Sequence, residues 1–543
     1  MDEEKIQFGY MKIADALPLF VAIEKGYFKE NFLKIELVEF TTGNAIISAM
    51  KRGIIIGGAC IGFAPIFFAN KKNTSFTMIA DGGKIEASPR PYFGIVTIKH
   101  SGIRKIEDLN RKKIAINGYN TNSDVFFQVA SKKAGIESNI VTLPFPYILN
   151  ALRDGHIDAG IISEPYMTIA SESIGINVIP DFEEYIRSLQ RTAVCISNDY
   201  ISKNPYAVKK FVLAYNKAIE FINNNSEQAR ELFSKWMNLP IAVARKMTML
   251  KWDVDFNNTE IIDKYNKVLA EFNIKERGNI FVKELEVTFG NRKKVTAIKD
   301  LNFEAKAGEL ICLLGTTGCG KSTILNAIAG FVSPTNGQIF LDEKPICEAG
   351  LERGIVFQRP ALFPWRTVKR NVEFGLEMKG ISKADRSKIA AAYINIVGLD
   401  GFEKNYPSEL SGGMEQRVDI ARVLANDPLV ILMDEPFGSL DAQTRSIMQE
   451  LLLNISEEFG KTIIFVTHDV DEAIFLADRI VVLTALPGKV KEEIRVSLPR
   501  PRSYEVVISN EYINIKKRVL GLIREETLKI VKSIPNISAI DLN

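Results

Sequence analysis

The segment "LICLLGTTGCGKSTILNAIAG", residues 310–330, constrains the fold of this chain more than any other feature. An apolar β-branched run, the loop G-x-x-x-x-G-K-S and a helix-forming run follow one another without a gap, the context in which this loop pattern is specific. A strand that passes straight into a helix points the loop and first-turn N–H groups at one spot, which suits a phosphate. Gly315, Gly318 and Gly320 let the backbone curl around it. Lys321 is predicted to bridge the β- and γ-phosphates of a nucleoside triphosphate, and the Ser322 hydroxyl to ligate Mg²⁺.

Two further runs extend that chemistry. "LVILMDEP" ends an apolar strand on Asp434 and Glu435, one placed to hold Mg²⁺ and the next to orient an attacking water. "IIFVTHD" repeats the arrangement and presents His468 as a γ-phosphate contact.

At 543 residues the chain exceeds a single core, so several α/β domains are expected. Its 69 basic and 66 acidic residues split near residue 276 into parts of net charge +3 and 0. Neither part has the basic excess of a nucleic-acid surface, so no nucleic-acid partner is expected. The five cysteines lack CxxC spacing and histidine partners, which predicts free thiols. Residues 2–4, Asp-Glu-Glu, are unlike the basic start of an export signal, implying a chain that stays inside the cell. The uncharged stretch "GIIIGGACIGFAPIFFAN", residues 53–70, nearly reaches membrane-spanning length. Its glycines and Pro65 predict instead a buried strand, a tight turn and a short helix.

Residues 6–275 alternate short strand runs ("KIELVEF", "TMIADGG", "YFGIVTI", "KKIAING", "VTLPF", "DAGIIS") with amphipathic helices, the doubly wound α/β pattern. "AVKKFVLAYNKAIEFINNN" and "SEQARELFSKWM" read as surface helices. "IKERGN", residues 274–279, reads as a short linker, and residues 505–543 as a terminal helix.

"LSGGMEQR" at 410–417, with the phosphate loop, Gln358, the Asp434-Glu435 pair, "SLDAQTR" and His468, resembles the ATPase subunit of an ABC transporter over about residues 280–500. The resemblance implies a P-loop ABC ATPase domain at 280–543 that uses ATP and Mg²⁺, with Glu435, His468 and Gln358 catalytic. It further implies that Phe289 stacks on adenine, that Gln358 reaches the metal and γ-phosphate, and that Cys319, Thr323 and Asp441 join the nucleotide contacts. Ser411, Gly412 and Gly413 would complete the site of a second cassette, as homodimer or heterodimer, and separate transmembrane permease subunits would complete the transporter. Glu415 stands where an uncharged or basic residue is more usual in that family. "FQRPALFPWRTVKRNVEFGLE" and "PGKVKEEIRVSLPRPR" are similar to the nitrate, sulfonate and taurine importer ATPases.

The opening "MDEEKIQFGYMKIADALPLFVAIEKGYF", with "GIRKIEDLNRKKIAINGYNTNSD" and "ALRDGHIDAGIISEPY", resembles the solute-binding proteins of the same importers. This implies a two-lobed periplasmic-binding-protein-like (type II) domain over 1–275, lobe one 1–95 and 195–275, lobe two 96–194. "YFGIVTI" and "RTAVCIS" would cross between the lobes. Ligand contacts are expected from Thr41, Thr42, Asn120, Thr121 and Ser123, and by family position from Tyr10, Asp15, Glu164 and Tyr166; helix capping accounts for Thr42 and Ser123 equally well. Paired helix N-termini favour a small anion such as nitrate, bicarbonate or a sulfonate. Acids at the cleft favour a neutral or cationic ligand such as a pyrimidine, and the sequence leaves both open.

The implied function is the ATP-hydrolysing subunit of an importer, cytoplasmic and peripheral on the inner face of the membrane, whose receptor-like domain senses solute and regulates the motor. In that family a fused receptor-like domain follows the motor, whereas here it precedes it. The alternative is an N-terminal domain acting in pyrimidine (thiamine precursor) binding or biosynthesis. The cysteine-rich cluster of those enzymes is missing, and only His100 and His156 are available for such chemistry.

Overall fold

The uncharged stretch at 53–70 folds as a strand, Gly57–Gly62, that runs directly into the helix Phe63–Lys72 with no turn between them. A Cβ on Gly58 would meet Ile46 Cγ2 at 2.2 Å, so glycine lets the helix Gly43–Lys51 lie flat against this strand. The segment is apolar because it is the centre of a sheet. Among the described residues no helix is long and apolar enough to cross a membrane.

The computed structural model describes residues 4–51, 53–72, 76–84, 90–180, 182, 191–254, 256, 259–290, 294–499, 502 and 504–533. The chain forms two compact units, Met1–Glu276 with Gly380–Ser382, and Arg277–Lys379 with Lys383–Asn543.

Unit 1 holds two five-stranded sheets. The first has the order Leu33–Glu39, Glu4–Tyr10, Gly57–Gly62, Arg191–Ser197, Phe76–Lys84; the second Asn139–Thr142, Lys113–Ile116, Ala159–Ser163, Phe93–Ile98, Ile176–Val178. In each, three parallel strands joined by helices are followed by one antiparallel strand that arrives from elsewhere in the chain. The two strands expected to cross between lobes do not. Phe93–Ile98 pairs only within the second sheet and Arg191–Ser197 only within the first, because a strand bonded on both edges cannot change sheets without breaking its ladders. Residues 85–89 and 183–190, just before these strands, lie outside the described residues. The expected surface helices form at Pro205–Asn224 and Ser226–Met237, burying Phe211, Tyr215, Ile219 and Phe233.

Unit 2 opens on Gly278 and Asn279, whose backbone N–H groups donate to Asp342 Oδ1 at 3.0 and 2.9 Å. Its six-stranded sheet has the order Arg353–Val356, Val430–Asp434, Thr462–Thr467, Leu310–Leu314, Arg479–Leu483, Val490–Arg495, parallel except for the last strand. A second, antiparallel sheet is built on Ile280–Phe289 and Val295–Ala305. The terminal helix spans Asn510–Ser533, and residues 534–543 of the predicted helix lie outside the described residues. All five cysteines are free thiols, four of them buried.

Candidate functional site

Four loops leave the carboxyl ends of adjacent parallel strands in unit 2, where open α/β sheets bind ligands. Register sets them side by side: Leu314 is opposite Thr467, Val466 opposite Asp434, and Met433 opposite Val356. The phosphate loop, Glu435, His468 and Gln358 therefore all follow strand ends on one edge. Gly320 sits at φ +101°, where a Cβ would also strike Ile298 Cδ1 at 2.4 Å, so the loop cannot close with another residue there.

Lys321 is buried, and its Nζ donates to the carbonyls of Gly315 (3.0 Å) and Thr316 (3.2 Å) while lying 3.7 Å from Glu435 Oε1. The Ser322 hydroxyl donates to Asp434 Oδ1 at 2.9 Å. Burial pushes the Asp434 carboxyl up, aided by the Glu435 charge and opposed by the Ser322 hydrogen bond and Lys321. His468 Nδ1 and Glu435 Oε2 are 2.9 Å apart. Glu435 is held at φ +43°, a sparsely populated region for a residue with a side chain, and its N–H donates to Val466 O at 3.0 Å. A hydroxyl beside a carboxylate at the phosphate loop is the hard-oxygen donor set Mg²⁺ takes together with substrate phosphates. Among the described residues no cluster of three or more His, Cys, Asp and Glu stands ready to hold a metal, and an ion shared with phosphates needs none.

The other predicted nucleotide residues are dispersed. Phe289 ends its strand 46% exposed, and Gln358 is exposed two residues beyond Val356. Thr323 is half-buried, and Cys319 is buried with its thiol pushed up by burial. Ser411 caps the helix Gly412–Ala425 by accepting from Met414 N at 3.4 Å. In that helix's first turn burial pushes the Glu415 carboxyl up. Asp441 caps Ala442–Phe459 by accepting from Gln443 N (3.1 Å) and Thr444 N (3.0 Å); the Thr444 hydroxyl first, and then these backbone bonds, hold its carboxyl below the usual range.

Unit 1 contains a cleft of about 60 Å³ lined by Asp15, Asn117, Thr121, Ser123 and Ser163 among apolar neighbours. Asp15 is 4% exposed and accepts from the Tyr92 hydroxyl and, at 2.8 Å, from Thr192 Oγ1. Its carboxyl is pushed up to about 6 by burial, which outweighs those two hydrogen bonds. Thr121 and Ser123 hydroxyls both donate to Asn117 Oδ1, at 2.9 and 2.7 Å. Bonds between the sheets' loops close the cleft: Ala64 N to Asn122 Oδ1 (3.0 Å) and Asn44 Nδ2 to Tyr119 O (3.0 Å).

Of the nine predicted ligand residues, Asp15, Thr121 and Ser123 line this cleft. Tyr10 instead packs edge-on against Phe20 at 5.6 Å, Thr41 is exposed, and Thr42 accepts from Ala45 N at 3.2 Å as a helix cap. Asn120 supplies a left-handed turn at φ +59°, its N–H donating to Asp124 Oδ2 at 2.8 Å. Glu164 is buried and accepts from Thr168 N (3.0 Å), Thr168 Oγ1 (2.9 Å) and Thr248 N (3.2 Å), and the Tyr166 hydroxyl donates to Lys12 O at 3.3 Å. His100 and His156 are exposed and neither lines the cleft.

Residues 298–438 match the family described as ABC transporter, and residues 13–229 match the family described as NMT1/THI5 like. Over 242 residues the chain is 50% identical to an uncharacterized ABC transporter ATP-binding protein of Methanocaldococcus jannaschii, covering 45% of this chain and 90% of that protein. The chain belongs to the ABC transporter ATP-binding proteins. It is also 44% identical to a nitrate import ATP-binding protein of Synechocystis over 44% of this chain and 92% of that one. With a taurine import ATP-binding protein of Roseobacter denitrificans it shares 45% identity over 44% of this chain and 88% of the relative. Unit 2 is thus an ABC ATPase, and unit 1 carries a domain of NMT1/THI5-like type.

Sequence reasoning passed over the scaffold of both sites. In the ABC ATPase, Thr467 Oγ1 donates to the buried Glu472 Oε2 at 2.6 Å and accepts from Asp469 N at 3.0 Å, fixing the turn that carries His468. Tyr92, Thr192, Asn117 and Ser163 of the cleft went unnamed. Their one sequence signal is a polar residue at or near the end of an apolar strand run, which many structural positions share.

Proposed function

We propose that the chain is the motor of an ABC importer for a small solute of the nitrate, taurine or sulfonate type, with a receptor-like unit that senses solute in the cytoplasm. The observation that carries the motor reading is the cluster Lys321, Ser322–Asp434 and Glu435–His468 at the ends of three adjacent parallel strands. Lys321 and the N–H groups of its loop hold the ATP phosphates. Ser322, Asp434 and Gln358 are the residues to hold Mg²⁺, which when bound neutralises charge on the phosphate oxygens. Glu435 accepts a proton from the attacking water, and His468 Nδ1, bonded to its carboxylate, keeps that oxygen aimed.

Phe289 packs on the adenine, and Ser411, Gly412, Gly413 and Asp441 serve a second copy of the cassette, so two ATP molecules are sandwiched between two chains. Separate permease subunits supply the membrane path, and the motor works as a peripheral protein on the cytoplasmic face. A linker as short as residues 274–279 keeps both units on one side of the membrane. Coupling of about 1–3 kcal/mol between cleft and motor suffices for feedback.

The purified full chain is expected to bind and hydrolyse ATP, to lose both with Lys321→Ala, and to change its turnover when a small solute occupies unit 1. Hydrolysis that survives Lys321→Ala sinks the motor assignment. Turnover indifferent to an occupied cleft sinks the sensor role.

A further inference from the structure

The cleft of unit 1 carries the same sign of charge as nitrate, the solute named for one of the relatives. Asp15 is its buried charged group, and among the described residues lining it none is lysine, arginine or histidine. An anion placed there would sit against a carboxylate with no cationic side chain beside it, and the helix starts at Gly43, Phe63 and Asn122 supply only partial positive charge against a full negative one.

What the cleft offers is a carboxylate acceptor together with a hydroxyl and an amide that can donate. A carboxylate has about four acceptor positions. Tyr92 and Thr192 take two of those on Asp15. Acceptor capacity remains for a further donor. Across the cleft, Ser163 is 3% exposed and its hydroxyl has no hydrogen-bond partner, a cost a native interior does not carry without reason. Asn117 Oδ1 already accepts from two hydroxyls, so its amide can still give N–H.

Size narrows the choice. The cleft's volume of about 60 Å³ is well under the roughly 150 Å³ of an engineered cavity that takes benzene, which favours a compact ligand.

We propose that this cleft binds a small uncharged or cationic nitrogen compound, of the size of urea, an amidine or guanidinium, which donates N–H to Asp15 and meets Ser163, and that it rejects oxyanions. The inference rests on reading unit 1 as a receptor. The molecule it senses then differs in charge from nitrate or a sulfonate, and the two units answer to different chemistry.

The test is calorimetric titration of the full chain saturated with ADP, which keeps anions off the phosphate loop. Millimolar urea, acetamidinium, guanidinium and methylammonium chlorides are compared with sodium nitrate, bicarbonate and methanesulfonate, with sodium chloride as blank. At least one nitrogen probe is expected to bind, Asp15→Asn to weaken it tenfold or more, and Ser163→Ala severalfold. A retained cooperative unfolding transition and an unchanged circular dichroism spectrum of the full chain show that each variant is folded. Binding by an oxyanion with silence from the nitrogen probes overturns the ligand class and leaves the receptor reading standing. Silence from both groups overturns both. Nitrogen-probe binding that Asp15→Asn leaves intact overturns the proposal as well. Binding that leaves ATP turnover unchanged keeps the ligand class and removes the sensor role.

Discussion

Two acid-bearing sites sit in one chain, and they are built on opposite plans. In the ABC ATPase, Asp434 and Glu435 stand beside a buried lysine and a glycine-rich helix start, so the site carries both signs and suits a metal-bound polyphosphate. In unit 1, Asp15 stands among hydroxyls and apolar side chains, with no cation among the described residues lining the cleft. A carboxylate alone does not name a ligand; the charge next to it does.

That contrast breaks first at Glu435. Glu435→Gln is expected to keep ATP binding and to lower turnover by about 10²–10⁴-fold, the usual contribution of a positioned general base. Single-turnover assays read this, and undiminished hydrolysis removes Glu435 from the mechanism.

A second prediction concerns Asp15 in the unliganded chain. Its carboxyl, pushed up from 3.8 to about 6, keeps a proton in the folded state that the unfolded chain has already released. The sign follows: the folded state is favoured while the group is neutral, and stability falls as pH rises through about 4 to 6. At pH 7.5 the cost is on the order of 3 kcal/mol, so Asp15→Asn raises the unfolding temperature there and changes it little at pH 4.5. An equal effect at both pH values refutes the assignment to this carboxyl.

Smaller effects sharpen the comparison. Asp441→Ala removes a cap that accepts two backbone N–H groups and is expected to lower the denaturant midpoint of the ATPase unit. No loss there would leave the aspartate without a structural role in the single chain. Tyr512→Phe deletes the terminal helix's 2.8 Å bond to Asp471, on the helix that follows His468. The expected loss is about 1 kcal/mol or less. Because Lys516 still holds Asp471, turnover should change less than threefold. A larger drop would make the terminal helix a positioning element for His468.

The ATPase site was legible because its residues lie within a few positions of strand ends that local patterning reveals. "LICLLGTTGCGKS", "LVILMDEP" and "IIFVTHD" each carry strand, loop and functional side chain in one short run. The 2.9 Å contact between His468 and Glu435 was not legible, since parallel pairing of strands 33 residues apart creates it. In unit 1 the strands and surface helices were readable, whereas the crossing strands were misplaced because edge pairing is a tertiary decision. Glu164 and Tyr10 carry polar groups and sit near the right loops, but local bonding and packing occupy them.

The sequence by itself determined the α/β class, the phosphate loop on its strand and helix, and the near-neutral charge of both parts. Those properties are local or additive along the chain. Only the tertiary structure decided the character of the cleft. Asp15 meets Tyr92 77 residues later and Thr192 177 residues later, and no local pattern encodes such a meeting. Burial then converts an ordinary aspartate into a high-pKa acceptor, because desolvation is a property of the fold and of no residue alone.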